Sequence, residues 1–386
     1  MTARSPVPSP QPDEHARPFP SSEGHPPLPT VEREVEFLSQ GVRCRGLFVR
    51  PEAAVPAPLM ILVTGLGGVY EMRLDAFARR FAEAGYAALT FDYRHFGRSD
   101  GEPRHLLVVH EQQRDIEAGI EYGRTLDGVD PSRLVLWGTS LAGGHVIDVA
   151  SRRDDISASI IQCPFTDGLA SARHLSPPSQ IGIGLLALAD GIARLLRRQP
   201  VLVPLAGPRG TPALMTADGT VQSVFALLPP GTRLSRQLSR LHRLFAGQVK
   251  LGENVTTSDA DEPFPVSRTT GSLLLPSGTV LIAGVNAAFG VQIAFWRPGK
   301  NLAQITAPML ICACARDSVA PAGRTIRYAR SSPHCELKIY PYDHFDIYTG
   351  EPYAVVARDQ LDFLARTVPV STGEVVHRNE RQATTN

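Results

Sequence analysis

Short apolar runs alternate with longer amphipathic stretches from Leu59 to Phe165, and this alternation constrains the fold more than any other feature of the chain. LMILVTGLGG, YAALTFDYR, RLVLWG and SASIIQCPF read as strands. The stretches between them, over Arg73–Ala84, over Glu111–Leu126 and from Leu141, carry a helical apolar period. Strands that alternate with helices in this way predict a mostly parallel sheet covered on both faces. Ahead of them, VEREVEFLSQ and VRCRGLFVRP, joined at Gly41, read as an antiparallel hairpin on one edge.

After SASIIQCPF the pattern breaks for a long stretch. It resumes with MLICACARD, a helix near Gly323–Arg330, CELKIYPYD and a last helix over Tyr353–Thr367. Residues 29–168 and 300–368 are therefore expected to form one α/β core of about eight strands, with 169–299 a mainly helical insertion between two of them. Within the insertion, Gln180–Arg198 reads as a helix with Leu185, Leu186, Leu188, Ile192, Leu195 and Leu196 apolar. Gln237–Phe245 reads as a short basic helix. Gln248–Gly278 has no sustained period, and retained intronic or mispredicted sequence stays open as the alternative over 231–278. Residues 1–28, rich in Pro and Ser, and residues 369–386 read as disordered tails, the first with no apolar run of signal-peptide length.

Thirty-nine basic against 38 acidic side chains leave a net charge of +1, so no excess of either sign favours nucleic acid as a partner. Ile181–Ala193 is shorter than a membrane span and is followed by Arg194, Arg197 and Arg198, so no stable membrane insertion is expected. The five cysteines fall mostly in apolar runs and read as reduced core residues of a cytoplasmic protein. Cys312 and Cys314 share a strand face, but no cluster nearby supplies a metal's remaining ligands, so neither a metal nor a cofactor is expected. Oligomeric state is not legible.

LWGTSLAGGH puts Ser140 between an apolar strand and a helix, where a tight turn would lift its hydroxyl into the crevice beyond the strand ends. A serine needs a base, and the base an orienting carboxylate. Asp317 follows MLICACAR and His344 follows the next strand, so both are delivered to the same sheet edge in the order Ser, Asp, His. Taken singly, Asp317 reads equally well as a helix cap and His344 as a loop histidine; the argument lies in all three occurring at strand ends. The glycine-rich TGLGG at Thr64–Gly68 offers backbone donors for an oxyanion, through the amides of Leu66 and Leu141. A phosphate cradle is the rival reading, but neither GxxxxGK[ST] nor a strict GxGxxG is present.

GTSLAGG, FDYRHFGRSDG, ITAPMLICACARDSVAP and DHFDIYTG together resemble the serine-hydrolase members of the α/β-hydrolase superfamily, over about Glu34–Phe165 and Asn301–Thr367. The elbow carries Ala142 where glycine is commonest, and the oxyanion loop carries Thr64-Gly65 where His-Gly is usual. The resemblance implies that the polar loop holding Arg94, His95, Arg98, Ser99 and Asp100 is structural, and that the insertion caps the site.

His145 is expected to pack rather than act as base. Asp343 and Asp346 are rivals to Asp317. Phe165, with Thr166 and Asp167, and Leu188 are candidate pocket residues, with the apolar face of Gln180–Arg198 turned either to substrate or to the core. The expected activity is hydrolysis of a small or medium carboxylic ester through an acyl-enzyme, acting on a small-molecule acyl substrate. An acyltransferase or a peptidase would use the same three residues. A non-catalytic binding protein on this fold is the other class, but it normally lacks the serine or histidine.

Overall fold

The computed structural model describes residues 27–235, 255–257 and 271–370. Eight strands, β1 Thr30–Ser39, β2 Val42–Pro51, β3 Ala57–Val63, β4 Ala87–Phe91, β5 Val129–Thr139, β6 Ala158–Gln162, β7 Met309–Cys314 and β8 Cys335–Tyr340, form one sheet. Their spatial order is β1-β2-β4-β3-β5-β6-β7-β8. β2 runs antiparallel to both β1 and β4, and every other neighbouring pair is parallel. The hairpin thus forms one edge, as its alternating pattern predicts. β3, β4, β6 and β7 are buried along their whole length, which is why they read as unbroken apolar runs.

Five helices cover the sheet. α1 Leu74–Glu83 and α9 Gly350–Thr367 pack on one face through residues such as Phe77, Phe81, Val356 and Leu364. α2 Val109–Gly123, α3 Leu141–Ala150 and α8 Ala322–Arg330 pack on the other through Ile116, Ile120, Val146, Ile147 and Ala329. The last helix begins at Gly350, three residues before the predicted Tyr353, because Thr349 is still extended and Gly350 takes a positive φ of 61°.

Between β6 and β7 lie α4 Gly168–Ala172, α5 Pro177–Leu195, α6 Thr220–Ala226 and α7 Ala287–Phe295. This stretch, expected to be mainly helical, also contains two small sheets. Leu202–Pro204 pairs with Gly284–Asn286, and four short strands are ordered Val280–Ile282, Ser272–Leu274, Thr232–Leu234, Val255–Thr257. Parts of 231–278 are therefore built into structure. The predicted basic helix Gln237–Phe245 and most of both predicted tails lie outside the described residues. The buried carboxylate of Asp190 ties the insertion together, accepting from Val201 N at 3.0 Å and from Ala288 N at 3.0 Å.

The polar loop after β4 is a structural knot. Arg94 makes a buried ion pair with Asp115 at 2.7 Å, Ser99 Oγ donates to Asp92 O at 2.6 Å, and Asp92 accepts from Tyr70 N and Arg98 N. No helix among the described residues is long and apolar enough to cross a membrane.

Candidate active site

β5 ends at Thr139 and α3 begins at Leu141, so Ser140 alone makes the turn, with φ 56° and ψ −123°. A non-glycine residue held there costs about 1–3 kcal/mol, which the surroundings must offset. Ser140 N donates to Gln162 O at 2.9 Å, while Ser140 O accepts from Gly143 N at 3.0 Å and from Phe165 N at 2.9 Å. The crossing of strand and helix is close enough that a β-carbon on Gly138 would lie 2.5 Å from Ala142 O. One on Gly143 would lie 2.6 Å from Pro164 Cβ, and one on Gly144 would lie 2.7 Å from Trp296.

The loops after β7 and β8 bring Asp317 and His344 to this turn. His344 Nε2 lies 3.0 Å from Ser140 Oγ, and His344 Nδ1 lies 2.8 Å from Asp317 Oδ2. A carboxylate only accepts, so Nδ1 carries the proton and Nε2 of the neutral ring faces the serine hydroxyl. The second oxygen of Asp317 accepts from Val319 N at 2.9 Å and Ala320 N at 2.6 Å, which fixes the carboxylate's rotamer. Burial alone pushes the His344 imidazole down, but the adjacent Asp317 carboxylate outweighs it and holds the ring well above the ordinary 6.5.

The rival carboxylates are engaged elsewhere. Asp343 accepts from Ser318 and from the His344 backbone N, and Asp346 accepts from Asp343 N, so each shapes the loop without touching the imidazole ring. His145 is fully buried, its Nε2 is 2.9 Å from Gln112 Oε1, and burial pushes it down to about 3; it is a packing residue.

The Thr64–Gly68 loop reaches the turn as the sequence suggests. A β-carbon on Gly65 would lie 3.1 Å from Ser140 Cβ and 3.5 Å from its Oγ. The amides of Leu66 and Leu141 meet no acceptor among the described residues. Both are therefore free as donors, Leu141 as a first-turn amide of α3.

Two cavities meet at Ser140 and Leu66. One, of about 380 Å³, is walled by apolar side chains including Met72, Leu205, Met215, Val224, Phe225 and Leu281. The other, of about 410 Å³, is bounded by Leu141, Phe165, Ser171, Leu175, Thr216 and Ile293. Phe165 thus lines a cavity, its ring stacked on Trp296 at 5.6 Å. Thr166 and Asp167, weighed beside it, are buried at other tasks: Thr166 bonds Thr325, and Asp167 caps α4 and pairs with Arg297. Leu188 lines neither cavity. It is 63% exposed, because α5 turns its other side toward α7 and points the predicted pocket face at solvent.

Two residues beside the imidazole carry little sequence signal of a site role. Cys163, buried one residue after β6, places its sulfur 4.0 Å from His344 Nε2. Tyr348 bonds Thr139 through its hydroxyl and lies 3.8 Å from the same sulfur, closing a network behind the imidazole. Tyr348 follows His344 by four residues within DHFDIYTG, and that spacing was the available signal. Among the described residues, Cys163, Asp317 and His344 are the one group whose donor atoms lie close enough, within 4.8 Å, to share an ion, yet Asp317 and His344 are already bonded to each other.

Sheet order, elbow and strand-end residues together define one class of protein: the chain belongs to the α/β-hydrolase superfamily. Residues 54–198 match the family model described as serine aminopeptidase, S33. The chain is 38% identical over 343 residues to the quorum-quenching protein AidA of Acinetobacter baumannii (strain MDR-ZJ06), covering 89% of this chain and 97% of that one. It is 32% identical over 171 residues, 44% of this chain and 49% of the other, to the thiohydrolase aneE of Aspergillus aculeatus. Among solved structures, the α/β hydrolase GrgF from Penicillium sp. sh18 superposes with a TM-score of 0.62 at 20% identity, covering 87% of this chain and 99% of that one.

Proposed function

We propose that this protein is a serine hydrolase that cleaves a small or medium carboxylic ester with an apolar acyl group. One observation carries the proposal: Ser140, His344 and Asp317 are linked at 3.0 and 2.8 Å where two cavities meet. In this reading Ser140 Oγ attacks the ester carbonyl carbon and its proton passes to His344 Nε2. The Leu66 and Leu141 amides hold the oxyanion. The C–O bond then breaks, the leaving alkoxide takes the proton from His344, and an acyl-Ser140 ester remains. Water attacks that ester, gives its proton to His344, and Ser140 recovers it as the acid leaves.

The 380 Å³ cavity suits the acyl chain because its wall is almost wholly apolar, and the other suits the leaving group. The residues between β6 and β7 supply wall to both cavities and would act as the cap. Names among the relatives, a quorum-quenching protein and a thiohydrolase, are compatible with acyl-bond cleavage. Acyl transfer is a second reading favoured by the second cavity, where an alcohol or amine acceptor could replace water.

A fluorophosphonate probe tests the nucleophile. Stable label on the peptide containing Ser140 is expected, lost in Ser140→Ala together with turnover of p-nitrophenyl butyrate. Folded wild type that takes no label overturns the proposal in favour of a binding protein, and Ser140→Ala near wild-type activity overturns it in favour of another nucleophile.

A further inference from the structure

The face of α5 that the cavities do not use is unusual for a surface. Ile181, Leu185, Leu188, Ile192 and Leu195 lie one above another at helical spacing and are all exposed, Leu195 by 83%. Phe295 at the end of α7, the helix against which α5 packs, is 73% exposed. Isolated apolar residues on a surface need no explanation, whereas a continuous stripe does.

Among the described residues of α4, α5, α7 and the turns flanking α5, the exposed charges have one sign. Arg194, Arg197 and Arg198 cluster where α5 ends, are exposed, and form no ion pair among the described residues. From Leu169 to Ala217 and from Gly284 to Lys300 the only carboxylate is Asp190, and it is buried and bonded to two backbone amides. A second copy of this face would bring arginines with no acid to meet them. A bilayer offers both complements: anionic headgroups for the arginines and acyl chains for the stripe.

We propose that α5, with Phe295 beside it, docks reversibly on an anionic membrane surface. The helix would lie in the interface, its arginines extending to headgroup phosphates while the leucines enter the acyl boundary. The cavity bounded by Ser171, Leu175 and Ile293 is built from the neighbouring α4, the turn before α5 and α7, so docking would bring its rim to the lipid. This inference concerns binding and stands apart from the hydrolase reading.

Flotation with vesicles tests it. The full chain should float with vesicles of equal phosphatidylglycerol and phosphatidylcholine, much less with phosphatidylcholine alone, and less as salt rises. Arg194→Gln, Arg197→Gln and Arg198→Gln combined should weaken partition on the order of 100-fold. Leu185→Ser with Ile192→Ser should also lose binding while melting at the wild-type temperature, since both side chains are already in water. Wild type that stays with the unbound fraction, or variants that float like wild type, overturn the proposal. So does sedimentation of a dimer that Leu185→Ser with Ile192→Ser dissociates.

Discussion

The imidazole of His344 carries the sharpest expectations at the scale of single residues. Its folded-state value lies above 6.5, and Ser140 can give its proton only to a neutral ring. Activity on an ester should therefore fall as pH drops through a limb centred above pH 6.5, not below it. Asp317→Asn removes the charge that opposes burial, so the limb should move downward while the rate drops by as much as about 10⁴-fold through the wrong tautomer. A pH profile of kcat/KM for both proteins checks the sign; an unmoved limb would relocate the titrating group.

Gly65 is a second test. A methyl there lies 3.1 Å from Ser140 Cβ and would push the serine out of line with His344. Gly65→Ala should lower kcat/KM by up to about 100-fold with little change in melting temperature, as displacement of a reacting group predicts.

Elements explain what could be read in advance and what could not. Ser140 and Asp317 were legible because each follows a buried apolar run, and His344 because it follows the alternating edge strand CELKIY; parallel strands in one sheet deliver such residues to one edge. The cavity walls were not legible. They come from loops and three-residue strands such as Leu202–Pro204 and Val280–Ile282, too short to show a period. The apolar face of α5 is legible as a stripe, expected against either substrate or core, yet it meets solvent, because periodicity says which residues share a face and nothing about what that face meets. Asp190 also went unnoticed, yet it pins α5 to the start of α7. Asp190→Ala should leave two part-buried amides without their acceptor, at a cost of up to about 1–3 kcal/mol each. A lower melting temperature and faster amide exchange in α5 and α7 than in β3 or β5 would bear this out; uniform exchange would not.

On the proposed reading substrate length is set at the scale of the whole molecule, because the apolar cavity is lined by the insertion and the core together. Filling it with Val224→Trp, on a wall residue contributed by α6, should depress octanoyl ester turnover relative to acetyl. Leu188→Gln should leave the acetyl, butyryl and octanoyl series unchanged, since that side chain meets solvent. Measuring kcat/KM across the three esters in each variant separates the two walls. A chain-length profile shifted by Leu188→Gln would return α5 to the site.

β6 ends at Gln162 and β7 begins at Met309, yet the two are hydrogen-bonded neighbours in the sheet. The pair is parallel, with Met309 opposite Ser159 and Cys312 opposite Gln162, so the intervening chain is a single crossover that leaves one end of the strands and re-enters at the other. Closing such a loop costs entropy that grows only with the logarithm of its length, about 0.6 kcal/mol for each doubling. Lengthening or shortening its middle is therefore cheap for the sheet so long as the β6–β7 pairing holds. Phe165, which donates to Ser140 O, and Trp296, which packs on Gly144, hold the elbow from within this crossover, so the walls around Ser140 can be redrawn only between them, and an engineer grafting a different segment there should inherit the same elbow with a new appetite.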